Sequence, residues 1–183
     1  MVYGPQVMSA VSGKTYTDEN AGGAKTMAAQ GGVALTAENE DAAIALAVQV
    51  LDLLPGCNAE DAPLMDTDDM NRVLPEMDAG DSEALMAAMA DAGSFVELYK
   101  DWGKEIRVAL TRMGGRSVGV VASNAAVNDG MLTAQGAAKA ARFIRLCDCY
   151  SLPVVSLINS KGVVVPDVQD QAATLTGVAQ LLY

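Results

Sequence analysis

The sequence predicts an α/β protein, and two apolar runs separated by an alanine-rich segment carry that prediction. The runs at residues 117–124 and 153–159 have the length and composition of buried strands. The segment between them, residues 134–150, is long enough for a helix of several turns. A strand, a helix and a second, parallel strand form a crossover unit, and ligands bind at the carboxyl ends of its strands. We therefore expect functional residues within 122–130 and 159–166.

Residues 1–56 form the first predicted unit, in which helices dominate. We expect a helix over 5–11, a second helix from about residue 21 with a cap near Thr17, and a short strand over 33–37. A longer helix over 42–54 follows, with an N-cap at Asn39. Residues at helical spacing give this helix one apolar face, formed by Ile44, Val48 and Leu51, with Leu54 as a further candidate.

Residues 57–80 form an acidic connector between the two predicted units. Its three clustered aspartates resemble part of a calcium-binding loop; they are Asp66, Asp68 and Asp69. The central glycine and the closing glutamate of such a loop are absent, so we predict no metal site here.

Residues 81–183 form the second predicted unit. It begins with a short helix over 81–90 and a strand over 94–98. A strand over 104–112 should form a hairpin with the strand at 117–123 through the turn at Gly114 and Gly115. After the crossover unit, an extended stretch through Pro166 leads to a last helix over 169–183.

The composition excludes several classes of function. The chain has no histidine, which removes catalytic triads and histidine-based metal sites. Catalysis would have to use backbone amides, carboxylates, lysines or a bound cofactor. The net charge of −11 argues against a nucleic-acid partner. Because residues 100–183 carry nine basic and six acidic side chains, a small anionic ligand would be drawn to that half.

The cysteine and hydropathy patterns point to the cytoplasm. Three cysteines cannot all pair, and their spacing is not that of a metal site. A reducing compartment is therefore the expected setting. No apolar run approaches the roughly 20 residues that a membrane span needs.

Several motifs, taken together, resemble the biotin-dependent acyl-CoA carboxyltransferases. In the second unit they lie at residues 114–124, 137–144 and 147–148. The match continues upstream at residues 20–25, which read Asn-Ala-Gly-Gly-Ala-Lys, and at shorter segments near residues 4, 32, 37 and 53. The family includes the carboxyltransferase subunits of acyl-CoA carboxylases and of biotin-dependent acyl-CoA decarboxylases. No single motif is specific, but their combination is.

The resemblance implies a crotonase-like fold built from strand-strand-helix units. Family members are much longer and have two such subdomains, so this chain is expected to be an internal fragment that spans both. Residues 1–56 would end the first, acyl-CoA-binding subdomain, and residues 81–183 would begin the second, biotin-binding subdomain. The implied partners are acyl-CoA, a biotin carboxyl carrier protein, a biotin carboxylase or decarboxylase subunit, and further copies of the same chain. Biotin on its carrier is the implied cofactor.

The same resemblance suggests which residues carry the chemistry. Negative charge develops on a thioester oxygen and on the biotin ureido oxygen, and backbone N–H groups can stabilise both without histidine. Gly162, with the amides of Lys161 and Val163, is the candidate oxyanion element on the biotin side; an ordinary glycine turn is the alternative. The family pattern is altered in this loop, where residues 159–166 read Asn-Ser-Lys-Gly-Val-Val-Val-Pro.

Other residues are candidates for substrate binding. The pair Gly22 and Gly23 at a helix start could bind a phosphate or carboxylate, although close helix packing also explains it. Ala122 and Asn124 could line the pocket, and a turn-forming role explains Asn124 equally well. Basic residues of the 134–150 helix could meet CoA phosphates, although a solvated helix face explains them better; they are Lys139, Arg142 and Arg145.

Two alternatives to the carboxyltransferase remain open on the sequence. A noncatalytic, degenerate homologue could serve as an assembly scaffold, which the altered 159–166 loop favours. A crotonase-type hydratase or isomerase would need a glutamate in the acyl pocket, and Glu97 and Glu105 are poor candidates because both precede the crossover unit.

A severed piece of a larger fold would also expose apolar edges and self-associate.

Overall fold

The computed structural model describes residues 4–66, 68–69, 71–78, 80–164 and 171–182. The helices are α1 Pro5–Ser12, α2 Asp18–Gly22, α3 Ala24–Ala29, α4 Glu40–Asp52, α5 Ser82–Met89, α6 Ala134–Cys149 and α7 Gln171–Leu182. The strands are β1 Val96–Leu98, β2 Ile106–Met113, β3 Arg116–Ser123 and β4 Val154–Leu157. A single 3₁₀ turn, Asn128–Gly130, lies between β3 and α6.

One sheet, in the order β1-β2-β3-β4, organises the second unit. β1 and β2 are antiparallel, as are β2 and β3, whereas β3 and β4 are parallel. Helix α6 connects the parallel pair, so the predicted crossover unit is confirmed. The carboxyl ends of β3 and β4 consequently lie at the same edge of the sheet.

The β2–β3 hairpin closes on a two-glycine turn, as the sequence predicts. Gly114 and Gly115 have φ values of 60° and 75°, which glycine adopts without a steric penalty. The carboxylate of Asp91 accepts hydrogen bonds from both of their N–H groups, at 3.2 and 2.7 Å. The turn therefore has both intrinsic backbone freedom and a carboxylate that fixes it.

Helix α6 packs closely against one face of the sheet because β3 contains a glycine opposite it. Phe143 and Cys147 of α6 are fully buried against this face, beside Val108 and Leu110 of β2. A Cβ atom at Gly119 would lie 2.5 Å from Cys147 Sγ and 3.1 Å from a ring carbon of Phe143. The missing side chain is thus what permits the approach of the helix.

The opposite face of the sheet is covered by α5. Met86 of α5 is fully buried there with Ala109, Val118, Val120 and Ala122. Buried apolar side chains on both faces make the sheet the middle of three layers.

Helix α6 also joins the second unit to the first. The guanidinium of Arg142 donates to the carbonyl of Gly31 at 2.7 Å and lies 5.3 and 4.9 Å from the ring centres of Tyr99 and Trp102. The Tyr99 N–H donates to the Ala34 carbonyl at 2.8 Å. The position of the boundary between the units stays a prediction.

Two predictions for the first unit were wrong. Residues 33–37 form no strand, since only the Ala34 carbonyl bonds to the end of β1. Helix α4 forms, capped by the side chain of Asn39 as expected, but its inward side carries Val50, with Leu53 and Leu54 immediately after it. Three residues of the predicted apolar face are exposed instead, at 57% for Ile44, 52% for Val48 and 67% for Leu51, and only the further candidate Leu54 packs against the core.

The second predicted strand of the crossover unit is less buried than expected. β4 pairs with β3 on one side, and exposed and half-buried residues alternate along it. Among the described residues β4 is an edge strand, so it stays partly exposed despite its apolar composition. Of the predicted extended stretch over 163–166, Val163 forms a parallel bridge with Leu132, and residues 165 and 166 lie outside the described residues.

The acidic connector is tied to the second unit by its single arginine. Arg72 donates to the carbonyls of Ala88, Met89 and Ala90 at 3.2, 3.1 and 2.8 Å, and it pairs with Asp68 at 2.6 Å. These carbonyls belong to the last turn of α5, where intrahelical partners run out. A cation in the connector therefore caps a helix of the second unit.

Two features of the described ranges bear on membrane and metal binding: the length of the helices and the grouping of possible metal ligands. None of the helices found there is both long and apolar enough to cross a bilayer. The described residues also contain no cluster of metal-ligating side chains.

The contact at Gly119 yields a stability prediction. Gly119→Ala should lower the free energy of unfolding by about 1–3 kcal/mol, because the new methyl group overpacks the α6 interface. Thermal or urea unfolding monitored by circular dichroism measures the change. In a Cys147→Ala background, which removes the nearest atom, Gly119→Ala should cost less; an equal cost in both backgrounds would contradict the packing explanation.

Candidate functional site

The loops that follow β3 and β4 contact each other at the carboxyl end of the sheet. We call them the carboxyl-end loops, residues 124–132 and 158–164. The Leu132 N–H donates to the Gly162 carbonyl at 2.9 Å, and the Val164 N–H donates to the Leu132 carbonyl at 3.0 Å. The two segments in which the sequence predicts functional residues are therefore joined in one structural unit.

The three predicted oxyanion residues differ in what their N–H groups do. The Lys161 N–H donates to the Asp129 carbonyl at 3.2 Å, and the Gly162 N–H donates to Ser160 Oγ at 3.0 Å. Within the described part of the chain, the Val163 N–H has no acceptor, and Val163 is 47% exposed. Of the three donors, only that of Val163 is thus available to a ligand in this conformation.

Unusual backbone conformations shape both carboxyl-end loops. Asn128, Asp129 and Gly130 have φ values of 50°, 55° and 67° in succession, and Gly162 has a φ of 122°. Two of these four residues are not glycines, and such conformations persist only where surrounding contacts enforce them. A side chain at Gly130 would collide with the Asn159 carbonyl, so the loops approach each other as closely as glycine allows.

Ala122 and Asn124 occupy structural positions at the end of β3. Ala122 is fully buried in the sheet. The side-chain amide of Asn124 donates to the Lys104 carbonyl at 2.9 Å, and its oxygen accepts from the Ala126 N–H at 3.3 Å. These contacts match the turn-forming role considered for Asn124, and substrate binding by either residue stays a prediction.

The pair Gly22 and Gly23 lies where α2 ends and α3 begins. There the carboxylate of Glu19 accepts from the Thr26 N–H at 3.2 Å and from its hydroxyl at 3.3 Å. The protein's own carboxylate therefore takes the place that a bound anion would need. Within the described ranges, no hydrogen bond or ion pair joins these glycines to Lys161, Gly162 or Val163.

The two glutamates that a hydratase could use are bonded inside the protein. Both carboxylate oxygens of Glu97 accept from Nη1 of Arg107, at 2.9 and 3.1 Å. Glu105 is buried and accepts from the hydroxyl of Thr133, the N-cap of α6. Glu97 lines a cavity, but both carboxylates are engaged by other side chains of the protein, which disfavours the hydratase alternative.

Lys139 lies inside the protein, and its expected position on an exposed helix face was wrong. Its side chain is 0% exposed, and Nζ donates to the Trp102 carbonyl at 2.9 Å and, more weakly, to that of Gly103 at 3.5 Å. Burial lowers the pKa of Lys139 from 10.5 to about 8, although the nearby charges of Glu97 and Glu105 partly oppose this effect. Lys139 is therefore unavailable to CoA phosphates.

A cavity of about 740 Å³ lies between the two units, and it was not among the features predicted from the sequence. Its walls come from both units; they are formed by Ala24, Lys25, Ala28, Ala29, Thr36, Ala37, Glu38, Asp101 and Lys104. Lys25 belongs to the Gly-Gly-Ala-Lys motif, which is the signal that could have directed attention to this region.

Comparison with protein families assigns the chain. The model of the carboxyl transferase domain matches residues 1–183. The chain belongs to the carboxyl transferase domain family.

The relatives of this carboxyl transferase chain are subunits of acyl-CoA enzymes. It is 34% identical to the alpha subunit of methylmalonyl-CoA decarboxylase from Veillonella parvula and to the propionyl-CoA carboxylase beta chain from Roseobacter denitrificans. All of this chain is covered in both comparisons, but only 38% of each relative. The chain thus spans well under half the length of these curated relatives.

Solved structures place the fold in the same group. The transcarboxylase 12S structure with methylmalonyl-coenzyme A and methylmalonic acid bound matches with a TM-score of 0.90 and 29% identity, over 100% of this chain and 38% of that one. A single-chain long-chain acyl-CoA carboxylase matches with a TM-score of 0.77 and 27% identity, over 97% and 18% of the two chains. The predicted crotonase-like α/β class of this carboxyl transferase domain is confirmed.

The buried lysine gives a pH-dependent prediction. Between pH 8 and 10.5 the unfolded state keeps a proton on Lys139 that the folded state has lost, so stability from this group should rise with pH. The slope should approach about 1.4 kcal/mol per pH unit. Lys139→Met should remove this rise, as measured by urea unfolding of both proteins across that range.

The comparison with Lys139→Met is needed because Cys147 acts in the opposite direction. Burial raises the pKa of this thiol from 9.0 to about 11, so its contribution to stability falls as pH rises through that interval. Cys147 is present in both proteins, so its contribution cancels when the stability of Lys139→Met is subtracted from that of the wild type. Parallel stability curves for the two proteins would show that Lys139 does not titrate in this range.

Proposed function

We propose that the protein is the carboxyltransferase component of a biotin-dependent acyl-CoA carboxylase or decarboxylase. It would transfer a carboxyl group between carboxybiotin, attached to a carrier protein, and the α-carbon of a short acyl-CoA. The main support is the carboxyl transferase domain match over the entire chain. The similarity to a transcarboxylase solved with methylmalonyl-coenzyme A supports the same reaction class.

On the biotin side, the carboxyl-end loops are the proposed site. When bound, biotin supplies a ring nitrogen that carries the carboxyl group. Val163 is a half-exposed residue whose N–H has no acceptor among the described residues, which fits the need for a donor toward the ureido oxygen. Gly162 and Lys161 would set the direction of this donor, because their own N–H groups are engaged within the loops.

On the acyl-CoA side, the proposal keeps Gly22, Gly23, Ala122 and Asn124 as substrate-binding candidates. A substrate phosphate or carboxylate could reach the start of α3 only if the Glu19 carboxylate left it. Substrate binding at the glycine pair therefore implies a rearrangement of that side chain.

The proposed partners follow from the reaction. They are acyl-CoA, a biotin carboxyl carrier protein, a biotin carboxylase or decarboxylase subunit, and further copies of this chain in a homo-oligomer. The relatives support this, since they are named as subunits and the transcarboxylase 12S structure is described as a hexamer. We propose the cytoplasm as the compartment.

Carboxylation and decarboxylation use the same half-reaction, so both directions are consistent with the site.

A noncatalytic scaffold is the second candidate. It is favoured by the altered 159–166 loop and by the engagement of the Lys161 and Gly162 amides within the protein. Such a homologue would assemble with a competent partner without turning over substrate itself.

Activity of the full-length protein distinguishes these candidates. We expect decarboxylation of malonyl-CoA or methylmalonyl-CoA in the presence of free biotin, followed as loss of the thioester substrate by liquid chromatography. Turnover without biotin would support a hydratase-like or other reaction, and absence of both turnover and acyl-CoA binding by calorimetry would support the scaffold.

The donor at Val163 can be tested in the same assay. Val163→Pro deletes one N–H group and should lower kcat by about 10²–10³-fold, the loss typical of an oxyanion donor. Val163→Ala keeps the N–H group and should cost far less. Equal effects of the two substitutions on kcat would contradict a donor role for this amide.

A further inference from the structure

We infer that Asp129 is a positioning residue for the proposed carboxyl transfer, because it holds the Lys161–Val163 segment through both its backbone and its side chain. This inference rests on the function proposed above. It concerns a residue that takes no direct part in binding substrate and that lies in the loop after β3, away from the Gly162 segment in sequence.

Asp129 makes two different contacts with the same residue of the facing loop. Its carbonyl accepts from the Lys161 N–H at 3.2 Å, and its carboxylate oxygen Oδ2 lies 3.1 Å from Lys161 Nζ. The backbone bond and the ion pair thus attach Lys161 to Asp129 both through its main chain and through its side chain.

The hydrogen bonds on either side of Val163 then determine which backbone N–H faces outward. Gly162 and Val164 both bond to Leu132, through a carbonyl and an N–H respectively. In extended backbone, successive residues direct their polar groups to opposite sides, so the N–H of Val163 points away from Leu132. Removing the attachment at Asp129 would let the segment rotate and lose this alignment.

The conformation of Asp129 itself indicates that the contact is enforced. Asn128 and Asp129 both adopt positive φ, which few residues other than glycine adopt, and aspartate tolerates it better than most. The collision that any side chain at Gly130 would make with the Asn159 carbonyl shows how closely the two loops are pressed together. The strained turn is what brings the Asp129 carbonyl and carboxylate to Lys161.

The ion pair is exposed, so its role is geometric and its contribution to stability is small. Lys161 and Asp129 side chains are 71% and 57% exposed, and pairs of this kind barely change the free energy of unfolding. A displacement of about 1 Å at a catalytic donor, by contrast, can cost on the order of 10²-fold in rate. The inference therefore predicts an effect on kcat without a matching effect on melting temperature.

Asp129→Asn is the suitable substitution because asparagine also accepts positive φ and has the same size. In the full-length protein, with methylmalonyl-CoA and free biotin, it should lower kcat by about tenfold and leave KM for methylmalonyl-CoA within about twofold. Lys161→Met should have a similar effect, and the double variant should lose no more than either single one, since both act through one contact.

Lys100→Met is a matched control. Lys100 Nζ pairs with Glu83 Oε1 at 3.2 Å and, at the longer distance of 3.8 Å, with Glu97 Oε2, so the control removes the ion pairs of an exposed lysine outside the carboxyl-end loops. Its kcat should equal that of the wild type. If Asp129→Asn behaves like this control, or if the effects of Asp129→Asn and Lys161→Met on kcat simply multiply, the positioning role is overturned.

Amide hydrogen exchange separates a failure of this inference from a failure of the proposed function. In Asp129→Asn, residues 159–164 should exchange faster than in the wild type, whereas in Lys100→Met they should not. A wild-type protein without turnover would overturn the carboxyltransferase proposal. In that case hydrogen exchange would still test whether Asp129 holds the 159–164 segment. Unchanged exchange would overturn that role, and faster exchange would support it.

Discussion

The parallel pairing of β3 with β4 is the constraint on which the candidate site depends. In an antiparallel pair, the ends of successive strands lie at opposite edges, so the loops at 124–132 and 158–164 could not meet. The crossover through α6 brings both strands to the same edge and lets Leu132 bond to Gly162 and Val164. The proposed donor at Val163 is thus a consequence of topology and involves no catalytic side chain.

Helix α6 enables this pairing and also connects the two units. One side packs Phe143 and Cys147 against the sheet at Gly119, and Lys139 reaches inward to the carbonyls of the 102–103 turn. Arg142 extends from the same helix to Gly31 of the first unit. One helix therefore bonds to segments of both units that adjoin the cavity between them.

The sequence was sufficient for features that depend on local chemistry. The two-glycine turn, the caps at Thr17 and Asn39, and the crossover from β3 to β4 all follow from residue types and their spacing. Family motifs extended this to the fold class and the candidate reaction. The prediction that functional residues lie at the strand ends followed from the same topological argument.

Features that depend on tertiary environment were beyond local patterns. The spacing of Ile44 and Val48 identifies an apolar face but cannot say which side of α4 meets the core. Likewise, a lysine on a helix is ordinarily solvated, and only the carbonyls of the 102–103 turn explain why Lys139 is buried. The Glu19 carboxylate reaches the start of α3 because the chain bends between two short helices, α2 and α3. The sequence pattern did not predict this bend.

The attachment of the connector by Arg72 has a consequence for how such chains can change during evolution. The connector is held at Met65, which bonds to Gly115, and at Arg72, which caps α5. The stretch over 73–78 is exposed or half-buried and follows the last of these attachments. Insertions and deletions among homologues should therefore concentrate after Arg72, where added length leaves both attachments and the sheet undisturbed.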